Sequence, residues 1–582
     1  MSHKSLLSLS LLLVVTCKGY DSYDYLDGKF ITKDTSPVDL LAPTDKSTSS
    51  KSPRFVWTKR SGAGKYLLEV STSSNFGTTV LSKTLTDSTY TLVNSDLSGV
   101  TILDAFSYYW RVTAIYADQQ VVSLSAVFHV LDDAVIYVNS SSTMVDQLGN
   151  KSATFKKIQP AIEFADTRRN GVTTVTMNIQ VAAGVYNDEI QLRPGISLRG
   201  GYASSDWTRN IGTNITTISS LTDVSIRGNS AITAADTSTT VIEGFTILTG
   251  ANGNPAYAIS LSMASPTITK NQITVGAYNG STTLISVVSG SPLITENTIS
   301  TGTASISPTT GISISHALAT TVSPIISNNT ISASTANYGD GISINSTGGS
   351  NLNATISDNH ISGGAGSGLN SKGIGMTFGS ASIIIRNNVI SGGSNSSTSI
   401  GIGLSGASPT ISNNTINGGG SGNSYGLHLS GASQPIITNN IIYSTSSTGS
   451  RACIYEAVVS ADPRSFQNNL LFDCPTALYI DESVNNRVLE ADLNNVGNTT
   501  QSGAASGNIA PPTIANFAAI FFQSASDLHL TASTPAAVRT GGKDASQNTC
   551  GSTGTSSCGN VLLDRDGVTR TVPYSIGAYE RD

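Results

Sequence analysis

Ile268-Thr269-Lys270-Asn271-Gln272-Ile273 is one copy of a pattern, apolar-x-x-Asn-x-apolar, that returns down the chain. The later copies are Ile294…Asn297…Ile299, Ile326…Asn329…Ile331, Ile356…Asn359…Ile361, Ile385…Asn388…Ile390, Ile411…Asn414…Ile416, Ile437…Asn440…Ile442 and Phe466…Asn469…Leu471. The Asn-to-Asn steps are 26, 32, 30, 29, 26, 26 and 29 residues, and Phe245 stands one further step of 26 upstream. A second motif interleaves with the first, in the style of Gly311-Ile312-Ser313-Ile314. Its second residue is aliphatic in nine copies: Ile259, Ile285, Ile312, Ile342, Ile374, Ile402, Leu427, Ile454 and Leu478. A unit of 24–32 residues with two or three short strands cannot bury an apolar face alone. Stacked at about 4.8 Å, such units share one core and pair their backbones with the coils above and below. The repeat therefore predicts a parallel β-solenoid, with the Asn column at a turn, where Asn tolerates left-handed backbone and its amides can bond along the axis.

Composition agrees. Only 12% of the 582 residues are charged, 32 Lys+Arg against 38 Asp+Glu, about half the share of roughly 25% usual in soluble domains. The net charge of −6 is too small for a disordered polyelectrolyte. A pI near 5.5 with no basic cluster argues against nucleic acid as a partner.

The coils resemble the right-handed parallel β-helix of the pectin-lyase-like superfamily. The likeness extends to Ile136-Tyr137-Val138 through Ala161-Ile162, similar to the family's first strand and capping helix, with a helix starting near Pro160. It extends also to Val181–Tyr186 and Leu198–Arg209 as first coils. Asp564–Arg570 and Ile576–Glu580 resemble the terminal signature of bacterial surface β-helix proteins. Upstream, Arg54–Trp57, Tyr66–Val70 and Tyr108–Ala114 alternate like strands of a small sandwich and resemble a fibronectin type III-like module, with Trp57 and Trp110 as core. Leu6 to Val15 is too short to span a bilayer, and Val14-Val15-Thr16-Cys17 resembles a bacterial lipobox, Thr16 replacing the usual small residue. The expected organisation is a lipoprotein signal over 1–17 ending in the lipidated Cys17, a flexible tether over 18–36, the sandwich over 37–131, the β-helix over 133–504 and a C-terminal cap over 505–582. The fold class is all-β, and acyl chains on Cys17 would tie an exported protein to the bacterial outer membrane or cell surface.

Chemistry is sparse. Residues 251–480 hold eleven charges. Register pairs Lys270 with Glu296 and Asp340 with Lys372 as surface ion pairs worth about 0–1 kcal/mol. Only Glu456, Asp462, Arg464 and Asp473 are candidates for catalysis. Glu456 occupies an otherwise apolar register, so it is either a buried acid with a raised pKa or the mark of a register break. His428, Tyr455 and Tyr479 follow Ser260, Ser286, Ser313, Ser343, Gly375 and Gly403 in the outward column of the second motif. They form either an aromatic strip on which a sugar ring could lie or a cover for the C-terminal flank. Insertions around His316–Ser323 and Asn345–Asn353 fall on neighbouring coils, as a rim or groove or as plain surface variation. Proximity favours Cys453–Cys474 and Cys550–Cys558 among three disulfide connectivities. No spacing points to a metal or cofactor. The sequence leads first to a non-catalytic surface binder or adhesin for carbohydrate or a host surface, second to a polysaccharide lyase or hydrolase, and third to a passive stalk.

Overall fold

The computed structural model describes residues 22–579 apart from short segments, the longest being 97–106, 495–504, 511–527 and 541–548. The chain divides into two compact units, Met1–Lys156 and Lys157–Asp582.

In the first unit two sheets share one core. One contains Lys65–Ser71, Thr79–Leu85, Ser107–Ile115 and Ala126–Val130; the smaller contains Leu40–Ala42, Arg54–Trp57 and Thr89–Thr91. Alternation sends Tyr66, Leu68, Val70, Tyr108, Trp110 and Val112 inward, where they meet Phe55 and Trp57. Trp110 packs 5.1 Å from the Phe55 ring and donates Nε1–H to the Pro43 carbonyl at 3.2 Å, so both Trp are core residues. Two strands fall within the stretch expected to be a tether. Ser22–Leu26 pairs antiparallel with Lys29–Lys33, and Lys33 is buried because Asp118 neutralises it and the Tyr116 ring lies 5.0 Å from its ammonium.

The second unit is a parallel β-solenoid of about 10 turns. Three long sheets wrap one core. Sheet 1 runs from Met177–Ala182 through Thr267–Thr269 to Ala505–Ser506, sheet 2 from Gly184–Tyr186 through Gln272–Thr274 to Leu470–Phe472, and sheet 3 from Ile190–Gln191 through Ala256–Ser262 to Ala477–Asp481. The three-residue strands of sheets 1 and 2 point their central residue inward, so Ile268, Ile294, Ile326, Ile356, Ile385, Ile411 and Ile437 stack in register without exposure. Ile158–Arg168 forms the capping helix, burying Ile158, Ala161, Ile162 and Ala165 at helical spacing. Asp188 Oδ2 accepts from Ile158 N at 2.8 Å, and Pro160 sits in the first turn, where its missing N–H costs nothing.

The Asn column lies at the corner between sheets 1 and 2, but the left-handed residue is the one before it. Lys270, Glu296, Asn328, Asp358, Asn387, Asn413, Asn439 and Asn468 have φ of 54–62°, whereas the column Asn side chains turn inward as a ladder. Asn359 is typical. Its Nδ2 donates to Asn388 Oδ1 at 3.0 Å and to the Ile326 carbonyl at 2.9 Å, while its Oδ1 accepts from Asn329 N at 2.9 Å and Asn329 Nδ2 at 3.0 Å. The ladder starts where Asn271 Oδ1 accepts from Phe245 N. It continues past residue 504 to Asn508, which Asn494 caps.

Among the described residues of the insertions near His316 and Asn345, Thr321–Val322 pairs with Asn351–Leu352 as an extra parallel rung that buries Leu352. His316 is itself buried, bonded to Ser289 Oγ at 3.0 Å and to the Thr320 carbonyl at 2.7 Å. In the C-terminal segment Ile576–Tyr579 lies on the outside of sheet 2, where the outward residues turn apolar at Val389, Ile441, Leu470, Tyr443 and Phe472. Gly577 N donates to the Asn439 carbonyl at 2.9 Å. Its φ of 104° is closed to other residues, and a Cβ there would meet Ile441 Cδ1 at 2.5 Å.

Candidate functional site

Sheet 3 carries the aromatic residues singled out by sequence. Register places Ser343, Gly375, Gly403, His428 and Tyr455 in one outward column, and Asp340, Lys372, Ile400 and Tyr425 in the outward column beside it. The next residue of the first column is Ile480, not Tyr479. Tyr479 pairs with Ile454 and is buried in the core, so the last coil is shifted by one residue and Leu478 leaves the aliphatic column. The strip is therefore His428, Tyr455 and the neighbouring Tyr425.

Its geometry also differs from a flat platform. The His428 and Tyr455 rings stack on each other along the axis, with centroids 5.1 Å apart at 16°, and Tyr425 lies 4.8 Å from Tyr455. Ring faces cover one another and ring edges turn outward, giving a ridge. Tyr455 Oη donates to Ser483 Oγ at 3.0 Å. Burial holds the His428 pKa below its ordinary value, and the Lys372 ammonium pushes it the same way, so the imidazole is neutral at pH 7.

Below the ridge the outward column holds two buried glycines. Gly375 and Gly403 have no side chain, and Asp340 and Lys372 lie across them. A Cβ on Gly403 would fall 2.9 Å from Lys372 Cδ, and one on Gly375 would fall 2.7 Å from Asp340 Oδ2. Lys372 Nζ stands 4.0 Å from Asp340 Oδ2, the ion pair expected from register. Burial raises the Asp340 pKa, and Lys372 offsets part of that. The result is a step: a low floor crossed by an acid and an amine, ending at a His ring. Sequence reasoning treated Asp340, Lys372 and Tyr425 apart from the aromatics, although all three precede the Gly-Ile motif and so share a column.

The four carboxylate and Arg candidates do not form one site. Glu456 keeps register with Leu429 and points into the core, where Tyr479 Oη donates to its Oε2 at 2.6 Å and its Oε1 has no partner. Burial raises its pKa to about 7 against the lowering effect of the Tyr479 bond, with Asp462, Asp481 and Glu482 adding to the rise. A carboxyl buried to 1% exposure cannot reach an external substrate. The register break expected as the alternative falls one coil later, and it is what places Tyr479 against Glu456. Asp462 belongs to an acidic corner with Asp481 and Glu482; Arg464 Nε reaches Gln434 Oε1 at 3.4 Å; Asp473 is exposed and feels Arg451 instead.

Cys453 and Cys474 form the disulfide favoured by proximity, joining adjacent coils at the same end. Cys17 and Cys558, and the side chain of Cys550, lie outside the described residues. Lys270 and Glu296 pair at 3.8 Å as expected. Among the described residues no group of three or more His, Cys, Asp and Glu is placed to hold a metal ion, and no helix is long and apolar enough to cross a membrane. No protein-family model, curated protein or solved structure matches this chain.

Proposed function

We propose that this is an exported surface protein, anchored through lipidated Cys17, whose solenoid binds carbohydrate without transforming it. The finer likenesses, of the solenoid to pectin-lyase-like β-helices and of the first unit to a fibronectin type III-like module, belong to the same reading. The observation that carries it is the step on sheet 3, where the Gly375–Gly403 floor meets the stacked His428–Tyr455 ridge. A sugar seated there would give hydroxyl protons to the Asp340 carboxylate, accept from the Lys372 ammonium and lay C–H groups against the imidazole. This combination of one apolar wall with a few fixed polar groups suits a neutral, hydroxyl-rich ligand.

A glycan array followed by calorimetry on the purified full-length protein tests the reading. Binding should fall about tenfold or more in Lys372→Gln and in His428→Ala, each removing one of the contacts. Affinity unchanged in both variants would refute the site. Release of unsaturated or reducing sugar by the wild type would replace binding with catalysis, and silence in both assays would leave a passive stalk.

A further inference from the structure

The first coils carry a second surface on sheet 1, about five coils along the axis, centre to centre, from the step on sheet 3, or about 24 Å. Arg199 points outward from Ile196–Tyr202 and is in register with Glu243 on the next strand of sheet 1. Glu243 is only 8% exposed, yet it faces three cations. Arg199 Nη1 donates to Oε2 at 2.7 Å, Arg209 Nη1 donates to Oε1 at 3.1 Å, and Lys270 Nζ lies 4.0 Å from Oε1. The remaining acid nearby is Glu296, on the far side of Lys270 at 3.8 Å. Three cations thus stand against two carboxylates.

The arrangement is built rather than incidental. Arg209 comes from a loop closed by Ala203 N to the Thr208 carbonyl at 2.9 Å, by Asn210 N to the Gly201 carbonyl at 2.7 Å, and by Asp206 accepting from Thr208 N and Oγ1. That loop holds Trp207 at φ 62°, a conformation bulky residues rarely adopt, with its ring 6.3 Å from Tyr202. Arg209 Nε is fixed on the Gly200 carbonyl at 2.9 Å, and the guanidinium stands 5.7 Å from the Tyr202 ring. Gly244, at φ 80°, makes the room: a Cβ there would come within 2.8 Å of Arg209 Nη2. Glu243 therefore orients two guanidinium groups side by side and leaves the Nη2 of each without a partner among the described residues.

We infer that this surface binds a sulfate ester of a polysaccharide. A tetrahedral oxoanion offers separate oxygens to Arg199, Arg209 and Lys270, while half-buried Trp207, whose ring lies beside buried Tyr202, supplies an apolar flank for the sugar ring that bears it. The cationic patch is local on a chain of net charge −6, which suits one anionic group at a time rather than a continuous nucleic-acid backbone.

Surface plasmon resonance of the purified full-length protein over heparin, chemically desulfated heparin and polygalacturonate at physiological salt tests this. The expected result is binding to heparin well above that to either of the other chains. Lys270→Gln, at an exposed position, should weaken it about threefold, and Arg199→Gln about tenfold. His428→Ala should leave it unchanged, so that failure of this site and failure of the sheet 3 site are read separately. The inference is overturned if the wild type does not bind heparin, if desulfated heparin or polygalacturonate binds as well, or if both Lys270→Gln and Arg199→Gln keep wild-type affinity.

Discussion

Glu456→Gln should abolish a pH dependence that the wild-type chain carries in its last coils. Burial holds the Glu456 carboxyl at a pKa of about 7 in the folded protein, against an ordinary value of 4.5. The folded state thus retains a proton that the unfolded chain gives up, and stability from this group is complete below pH 4.5 and lost as pH rises through about 7. At about 1.4 kcal/mol for each pKa unit, the loss is about 3 kcal/mol. Gln imitates the protonated acid: it still accepts from Tyr479 Oη, and its amide nitrogen takes the place of Oε1, which has no partner in either case. The two proteins should be equally stable at pH 4.5, and the variant should be more stable by up to about 3 kcal/mol at pH 8. Coils of a solenoid open locally, so the measurement is hydrogen exchange of peptides spanning Arg451–Asp481 at a series of pH values. Parallel pH profiles for wild type and variant would show that Glu456 is ionised and solvated in the fold, and the argument would fail.

Other outcomes follow from the same contacts. Asn359→Ala leaves Asn329 N and the Ile326 carbonyl without partners in a dry corner and should cost about 2–4 kcal/mol, read as a lowered urea midpoint. Gly577→Ala should release the C-terminal segment from Ile441, seen as proteolytic cleavage after Arg565 in a variant whose solenoid remains folded. Cys453→Ser with Cys474→Ser opens a link across 21 residues and should lower the stability of the last coils by about 3 kcal/mol; equal melting in reduced and oxidised wild type would contradict this. Because burial lowers the His428 pKa, any loss of glycan affinity from imidazole protonation should be centred below pH 6.5; a drop centred at 6.5 or above would show an exposed ring.

The inward columns were legible because a stacked core tolerates only one kind of residue at Ile268 or Ile312, and repetition exposes that constraint. The amide ladder along the axis was legible at the corner, while the left-handed residue is the one before the column Asn. Asn is suited both to a left-handed turn and to a buried amide ladder, and composition alone does not tell which of two adjacent positions does which. Asn439 and Asn440 show both uses side by side. The slip at Ala477-Leu478-Tyr479-Ile480 was hidden because the repeat alone keeps Leu478 in the aliphatic column; the structure puts Tyr479 there instead, against buried Glu456. Asn508 escaped because it follows Asn469 by 39 residues, well outside the repeat. The Glu243 network was missed for a similar reason: Arg209 reaches it from a loop that has no counterpart in later coils.

The C-terminal segment gives the solenoid a mechanical property that stacking alone would not. Strands added one above another can be peeled from the open end, each coil yielding in turn under a small force. Here the chain doubles back and fastens at Thr415 and Asn439, beneath the final coils. A pull on the C-terminus is therefore delivered below the end of the stack, where it loads several rungs in shear at once. A solenoid pulled from this end would resist as a spliced joint does, giving way abruptly instead of unzipping.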